Sequence, residues 1–263
     1  MKKSTSITFV SQTLVGLLCI IAVALLFAAF IINLYYKAET NQFIVNCLIG
    51  VGTNVFGIII TVIFVQRHLD KTSDKKAQIL EKEKIIRFNT IFERYNREYE
   101  VFVKALFIPV NERAERLNDP LPEKLTVHDF KDIYSETRLV NYGSDSAIEK
   151  YYFAEENLRN YVIRILEEIN FEYHPELKNI LVELLKVSMD YHSKSKVLEL
   201  AANEEQLNRI SFIIKNESND WEADFDKGIY NNDVSTFVIL LKQIKEERKL
   251  IDNYQKYIST IME

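Results

Sequence analysis

The 263 residues allow one or two domains, and 33 Lys+Arg against 38 Asp+Glu give a formal net charge of −5. The part of the chain after position 66 contains 30 Lys+Arg, which is the total of 33 without Lys2, Lys3 and Lys37. It contains 37 Asp+Glu, which is the total of 38 without Glu39. The net charge of −7 on this part excludes bulk nucleic-acid binding. With 6 glycines and 4 prolines the chain is too poor in turn residues for an all-β fold, and 2 cysteines, both in apolar segments, exclude a disulfide framework.

The first long apolar segment follows Lys2 and Lys3 and contains no charged residue between positions 4 and 36. A cleavable signal peptide has an apolar region of about 7–15 residues, and this one is far longer. We therefore predict a retained transmembrane helix over about residues 10–34.

The second apolar segment, residues 41–66, is also uncharged, and we predict that it spans the membrane over about residues 43–66. Most of its polar and small residues fall on one arc of a helix, roughly 100° wide. This polar stripe consists of Asn46, Gly50, Thr53, Asn54, Gly57 and Thr61. Gly52 lies off the arc. Because lipid favours the apolar side, we expect the stripe to face protein or water.

The polar stripe has two interpretations. Small residues let helices approach closely, and Asn or Thr can hydrogen-bond across such an interface, so the stripe can be a helix-packing surface. Alternatively, it can line a pore. Two helices offer too little wall to enclose water, so a pore requires several copies of the chain.

The connection between the two spans, residues 37–40, is short enough to force an antiparallel hairpin. Positive residues collect outside the hairpin on the side of both its ends, whereas the connection offers only Lys37. They are Lys2, Lys3, Arg67, Lys71, Lys75 and Lys76. The positive-inside rule then places both termini in the cytoplasm and the hairpin, residues 1–66, in the inner (cytoplasmic) membrane.

A long connecting helix is predicted over residues 67–108, ended by Pro109. Since no Pro or Gly lies between Ile58 and Ile108, the second span can continue into it as one long rod. The likeliest break is at residues 71–74, where Ser73 or Asp74 can cap a new helix. Apolar and aromatic residues then repeat in steps of three and four: Ile85, Phe88, Phe92, Tyr95, Tyr99, Phe102 and Leu106. This heptad pattern predicts a core-facing stripe, with an oligomer seam as the alternative.

We predict that residues 109–263 form a cytoplasmic helical domain. We expect a short helix from Thr126 to 140, a turn at 141–144, and a helix opened by the Ser146–Glu149 capping box. Further helices are predicted from Pro175, over 204–215, and from near Asp233, with 216–228 irregular. The predicted fold class is all-α: a two-helix transmembrane hairpin plus a cytoplasmic helical bundle.

No enzyme motif is present, and the four histidines show no metal-ligand spacing with each other or with cysteine. We predict no catalytic site, no metal and no cofactor. The one basic set that attracts notice is Lys186, Lys194, Lys196 and Arg209. It is either a ligand-binding surface or a solvated helix face.

The layout of a short hairpin, a long helix leaving the membrane and a charged helical domain resembles two-span bacterial membrane effectors of abortive-infection phage defence. The resemblance extends over the whole chain and is one of architecture. It implies membrane disruption or ion conduction on infection, controlled by a cytoplasmic partner protein or a small nucleotide. We therefore predict an oligomeric effector in the lipid bilayer, a gated pore controlled by its cytoplasmic domain. The alternative is a membrane-anchored helical interaction or scaffold protein without conductance.

Overall fold

The computed structural model describes residues 4–35, 39–122, 124–137, 144–190, 194–201, 203–217, 219–230 and 234–262. Over these ranges the chain forms α-helices, one 3-10 turn and no β-strand, which confirms the all-α prediction. The helices are α1 (Ser4–Tyr35), α2 (Glu39–Ala105), α3 (Arg113–Arg116), α4 (Ala147–Glu168), α5 (Pro175–Asp190), α6 (Lys194–Leu200), α7 (Glu204–Asn216), α8 (Trp221–Asp226) and α9 (Ser235–Met262). The chain divides into two compact units: unit 1, Met1–Ala77, and unit 2, Gln78–Glu263.

In unit 1, two helices are long and apolar enough to cross a membrane. The stretch Val15–Tyr35 has a mean hydropathy of 3.1. The candidate span within α2 begins at Gln42, and its mean hydropathy reaches 2.4. Only 11% of each of these apolar stretches is buried within the chain. Because most of this apolar surface is uncovered, the two helices differ from the core helices of a water-soluble protein.

The two helices of unit 1 contact each other along positions seven residues apart. The buried positions are Ala22 and Ala29 in α1 and Val45, Gly52 and Ile59 in α2. Such spacing is typical of two helices packed at a small crossing angle. Gly52 lies at the tightest point, because a Cβ atom there would be 3.0 Å from Cγ and Cδ2 of Leu26.

Of the two alternatives for residues 71–74, the structure shows the continuous rod and not the break, because α2 is helical through this segment. The Thr72 hydroxyl donates to the carbonyl of His68 at 2.8 Å, one turn back, and so leaves the helical backbone hydrogen bonds in place. α2 ends at Ala105, three residues before the predicted end at 108.

The aromatic heptad of α2 lies in the core of unit 2, which confirms the core interpretation. Ile85, Phe92, Tyr99, Phe102 and Leu106 are at most 1% exposed, and Phe88 and Tyr95 are partly buried against them. The rings of Phe92 and Tyr254 are 4.1 Å apart at their centroids. Since these side chains are covered within one chain, they are not available as a seam between chains.

The remaining core comes from α4, α5 and α9, with α5 packed on both α4 and α9. The Ser146 capping box is present as predicted: Glu149 accepts from the Ser146 backbone N–H at 2.8 Å, and Ser146 Oγ accepts from the Glu149 N–H at 3.4 Å. α5 begins at Pro175, also as predicted, and α7 matches the predicted helix over 204–215 within one residue.

Two predictions in unit 2 are wrong, and one helix was missed. Thr126 caps only a 3-10 turn, Val127–Asp129, and no helix follows as far as residue 137; residues 138–140 lie outside the described ranges. The helix α8 interrupts the segment 216–228, where irregular structure was predicted, and its N-cap is Asp220. The short helix α6 was not predicted.

Four further predictions concern residues wholly or partly outside the described ranges. These are the turn at 141–144, the helix start near Asp233, the positions of Lys2 and Lys3, and the connection at 37–40.

Candidate functional site

The polar stripe lies on the side of α2 that faces away from α1. Five of its residues are exposed and the sixth, Gly50, is partly buried; the exposed ones are Asn46, Thr53, Asn54, Gly57 and Thr61. At ~100° per residue, the stripe is roughly opposite the buried positions Val45, Gly52 and Ile59. The stripe is therefore not the contact surface with α1. The glycine at that contact is Gly52, which lies off the arc of the stripe.

The hydroxyl groups of the polar stripe are satisfied by their own helix. Thr53 Oγ1 donates to the carbonyl of Ile49 at 2.8 Å, and Thr61 Oγ1 donates to the carbonyl of Gly57 at 2.9 Å. Neither threonine needs another helix to meet its hydrogen-bonding requirement in a membrane.

The amide groups of the polar stripe differ from its hydroxyls. Within the residues that the structure describes, the side chains of Asn46 and Asn54 make no hydrogen bond, and both are exposed. Moving a primary amide from water into hydrocarbon without a hydrogen-bond partner costs about 4–8 kcal/mol. In a membrane these two amides therefore require water or a second protein chain.

A shallow groove follows the stripe along α2. Its lining residues are Thr53, Asn54, Gly57, Ile58, Thr61 and Val62. A Cβ atom at Gly57 or at Gly50 would meet nothing within 4 Å. The groove is open on its outer side, and a second helix can therefore approach the backbone of α2 closely here.

We expect Gly52→Leu to separate α1 from α2, because its side chain would collide with Leu26. The matched control is Gly57→Leu, which should leave the contact between α1 and α2 unchanged because a Cβ atom at position 57 meets nothing within 4 Å. Spin labels at the exposed Phe30 and Phe43 in cysteine-free protein would measure the separation. The label distance should lengthen only in Gly52→Leu; an unchanged distance there would contradict the assigned contact.

The four basic residues singled out in the sequence lie exposed on three helices: Lys186 on α5, Lys194 and Lys196 on α6, and Arg209 on α7. Lys186 pairs with Glu183, and Lys194 pairs with Glu156 at 2.9 Å and lies over the ring of Tyr152. Two of the four positive charges are thus offset by neighbouring carboxylates. A ligand site at this set stays a prediction.

A buried polar centre in unit 2 was not predicted. Glu247 of α9 is only 2% exposed, and its Oε2 accepts from the hydroxyls of Tyr99 at 2.7 Å and Tyr151 at 3.2 Å. Its Oε1 accepts from Nε2 of Gln243 at 2.8 Å. The sequence carried a signal, because Glu247 occupies the place between Ile244 and Ile251 where the apolar repeat of α9 requires a core residue.

A second carboxyl, Glu155 of α4, lies beside Glu247. Both line a cavity of about 10 Å³, close to the size of one water molecule, and Ser188 donates a hydrogen bond to Glu155. Burial and, less strongly, the charge of Glu155 raise the pKa of Glu247 to about 7, although three hydrogen bonds act to lower it. Burial also raises the pKa of Glu155.

The two tyrosines of this centre remain hydrogen-bond donors. Burial, followed by the negative charge of Glu247, raises the pKa of both Tyr99 and Tyr151 well above the ordinary value. Both phenols therefore keep their protons throughout the physiological range and can donate to Glu247 in either of its protonation states.

Arg113 is a further buried polar residue that the sequence did not reveal. It is fully buried and donates to five backbone carbonyls, those of Ile108, Lys131, Asp132, Ser135 and Glu136, at 2.7–3.3 Å. Four of these carbonyls, all but that of Ile108, belong to the segment in which a helix from Thr126 was predicted. Because the guanidinium satisfies them, the segment needs no helical hydrogen bonds.

No protein-family model, no curated protein and no solved structure matches the chain.

Proposed function

We propose that the chain is a two-span protein of the inner membrane, with α1 and the first part of α2 crossing the bilayer as a hairpin. Both termini and unit 2 lie in the cytoplasm in this proposal. Its supports are the length and composition of the two apolar stretches and the positive residues that follow the second one, from Arg67 to Lys76.

We further propose that the protein is a homo-oligomer whose polar stripe lines a gated, ion-conducting pore. The observation that carries this proposal is the pair of exposed amides, Asn46 and Asn54, on the side of α2 opposite α1. The hairpin cannot cover them itself, and lipid cannot satisfy them. Water inside a ring of α2 helices satisfies both.

Unit 2 is proposed to control the pore, and the biological role suggested by the architectural resemblance is phage defence. The regulating signal is then a cytoplasmic protein or a small nucleotide, and no enzymatic step or cofactor is involved. The independent, well-packed core of unit 2 supports a separate regulatory part, because such a core can hold its own conformation.

A membrane-anchored scaffold without conductance is the second candidate. One observation favours it: the hydroxyls of Thr53 and Thr61 already bond to their own helix, so only two residues of the stripe require an external partner. Two amides can be satisfied by pairing between two chains in a dry interface, which requires no pore.

Asn54→Leu is expected to abolish most ion flux in liposomes while the oligomer keeps its size in detergent. A leucine ring at this position narrows the pore and favours its dewetting. The matched control is Val51→Leu, an exposed apolar position off the stripe, which should conduct as the wild type does.

The scaffold candidate predicts a different outcome for the same measurements. In a dry interface, Gly50→Leu and Gly57→Leu should break the assembly by keeping the backbones apart, and Asn54→Leu should have a modest effect. A monomeric wild-type protein would refute the pore outright. Unchanged flux and size in all three variants would refute any role for the stripe.

A further inference from the structure

Unit 2 holds two carboxyl groups in its core, and both have been removed from water. Glu155 is 6% exposed and Glu247 is 2% exposed, and the two line the same water-sized cavity. Among the described residues, Glu247 makes no ion pair; its hydrogen-bond partners are the neutral groups of Tyr99, Tyr151 and Gln243. Two such carboxyl groups cannot both be ionised without a large electrostatic cost.

We propose that Glu247 and Glu155 form a proton-binding centre that tightens the packing of α2, α4, α5 and α9 when a proton is bound and loosens it when the proton leaves. The centre joins all four helices: Tyr99 comes from α2, Tyr151 and Glu155 from α4, Ser188 from α5, and Glu247 from α9.

The groups that face the centre determine its charge in each state. Arg159 of α4 lines the cavity and is the cation that acts most strongly on Glu155. Other groups that act on the centre are Lys194 and Glu156, which act on Glu155, and Glu100, which acts on Tyr99. With one proton bound, a single carboxylate remains to be balanced by Arg159. Without it, two like charges line the same small cavity.

Gln243 offers an acceptor for the bound proton. Its side-chain oxygen is buried and has no hydrogen-bond partner among the described residues. Rotation of the amide by half a turn exchanges its oxygen and nitrogen, and the oxygen then lies where Nε2 now meets Glu247 at 2.8 Å. A protonated Glu247 can donate to it there, so both protonation states of Glu247 keep a partner at this position.

The direction of the pH effect follows from the raised pKa of Glu247. The folded chain binds this proton more tightly than the unfolded chain does, because the pKa of about 7 exceeds the ordinary value of 4.5. The stabilisation is therefore complete below the unfolded-state pKa and is lost as the pH rises through about 7.

The test is a series of thermal melts of the full-length protein in detergent between about pH 5 and about pH 8. Glu247→Gln imitates the protonated side chain. Relative to this variant, the wild-type Tm should fall by about 5–10 °C over the series. The matched control is Glu246→Gln, an exposed neighbour on α9 that pairs with Lys249 at 3.8 Å, and it should follow the wild type.

Infrared spectroscopy of the wild type gives a second measurement that does not depend on any variant folding. A protonated carboxyl band should be present near pH 6 and disappear by about pH 8, and Glu247→Gln should lose it. An identical pH dependence of Tm in wild type and Glu247→Gln, or absence of the band from the wild type near pH 6, would overturn the proposal. The proposal stands apart from the pore, since neither measurement involves ion flux.

Discussion

Arg113→Ala is expected to lower the free energy of unfolding of unit 2 by about 3–5 kcal/mol. The fully buried guanidinium donates to five backbone carbonyls, and its removal takes a donor from each of them in a place that water reaches poorly. Arg113→Lys should recover only part of the loss, because an ammonium group cannot reproduce the planar, forked set of donors.

The matched control for Arg113→Ala is Arg116→Ala, three residues later on the same short helix. Arg116 is half exposed and pairs on the surface with Glu112 and Asp119, so its loss should destabilise unit 2 far less than the loss of Arg113. Thermal melting followed by circular dichroism would compare the two variants. Equal melting temperatures would show that Arg113 does not hold the segment between α3 and α4.

Phe92→Asp is expected to destabilise unit 2 by more than about 4 kcal/mol, enough to prevent stable folding. Phe92 is completely buried on α2 and stacks on Tyr254 of α9. The substitution removes this packing and also places a carboxylate in the core without an opposite charge.

The neighbouring residue gives the control for Phe92→Asp. Ile91 is 46% exposed on the same turn of α2, and Ile91→Asp should cost no more than about 1 kcal/mol, mainly through helix propensity. Urea denaturation of both variants would measure the difference. A Phe92→Asp protein as stable as Ile91→Asp would mean that the α2–α9 contact is not part of the core.

Features that depend on neighbouring residues or on helical periodicity could be predicted. The Ser146–Glu149 capping box, the start of α5 at Pro175 and the heptad core of α2 all follow from side chains within one or two turns of each other. Sequence periodicity also found the polar stripe, and the structure leaves it exposed on one side of α2. It did not reveal which face of α2 meets α1, because Gly52 is the one small residue off the stripe and only its contact with Leu26 identifies that face.

Two of the features that the sequence did not reveal depend on a partner that lies far along the chain. The helix predicted from Thr126 is absent because Arg113 satisfies carbonyls 18–23 residues beyond it. The buried centre depends on Tyr99, which lies 148 residues before Glu247. By itself the sequence determined the longer helices, the two apolar stretches and the face of α2 that enters the core, since local hydrogen bonding and apolar periodicity fix them. Only the tertiary structure decided which polar side chains are buried together, because burial and the pKa it raises arise when distant helices remove a group from water.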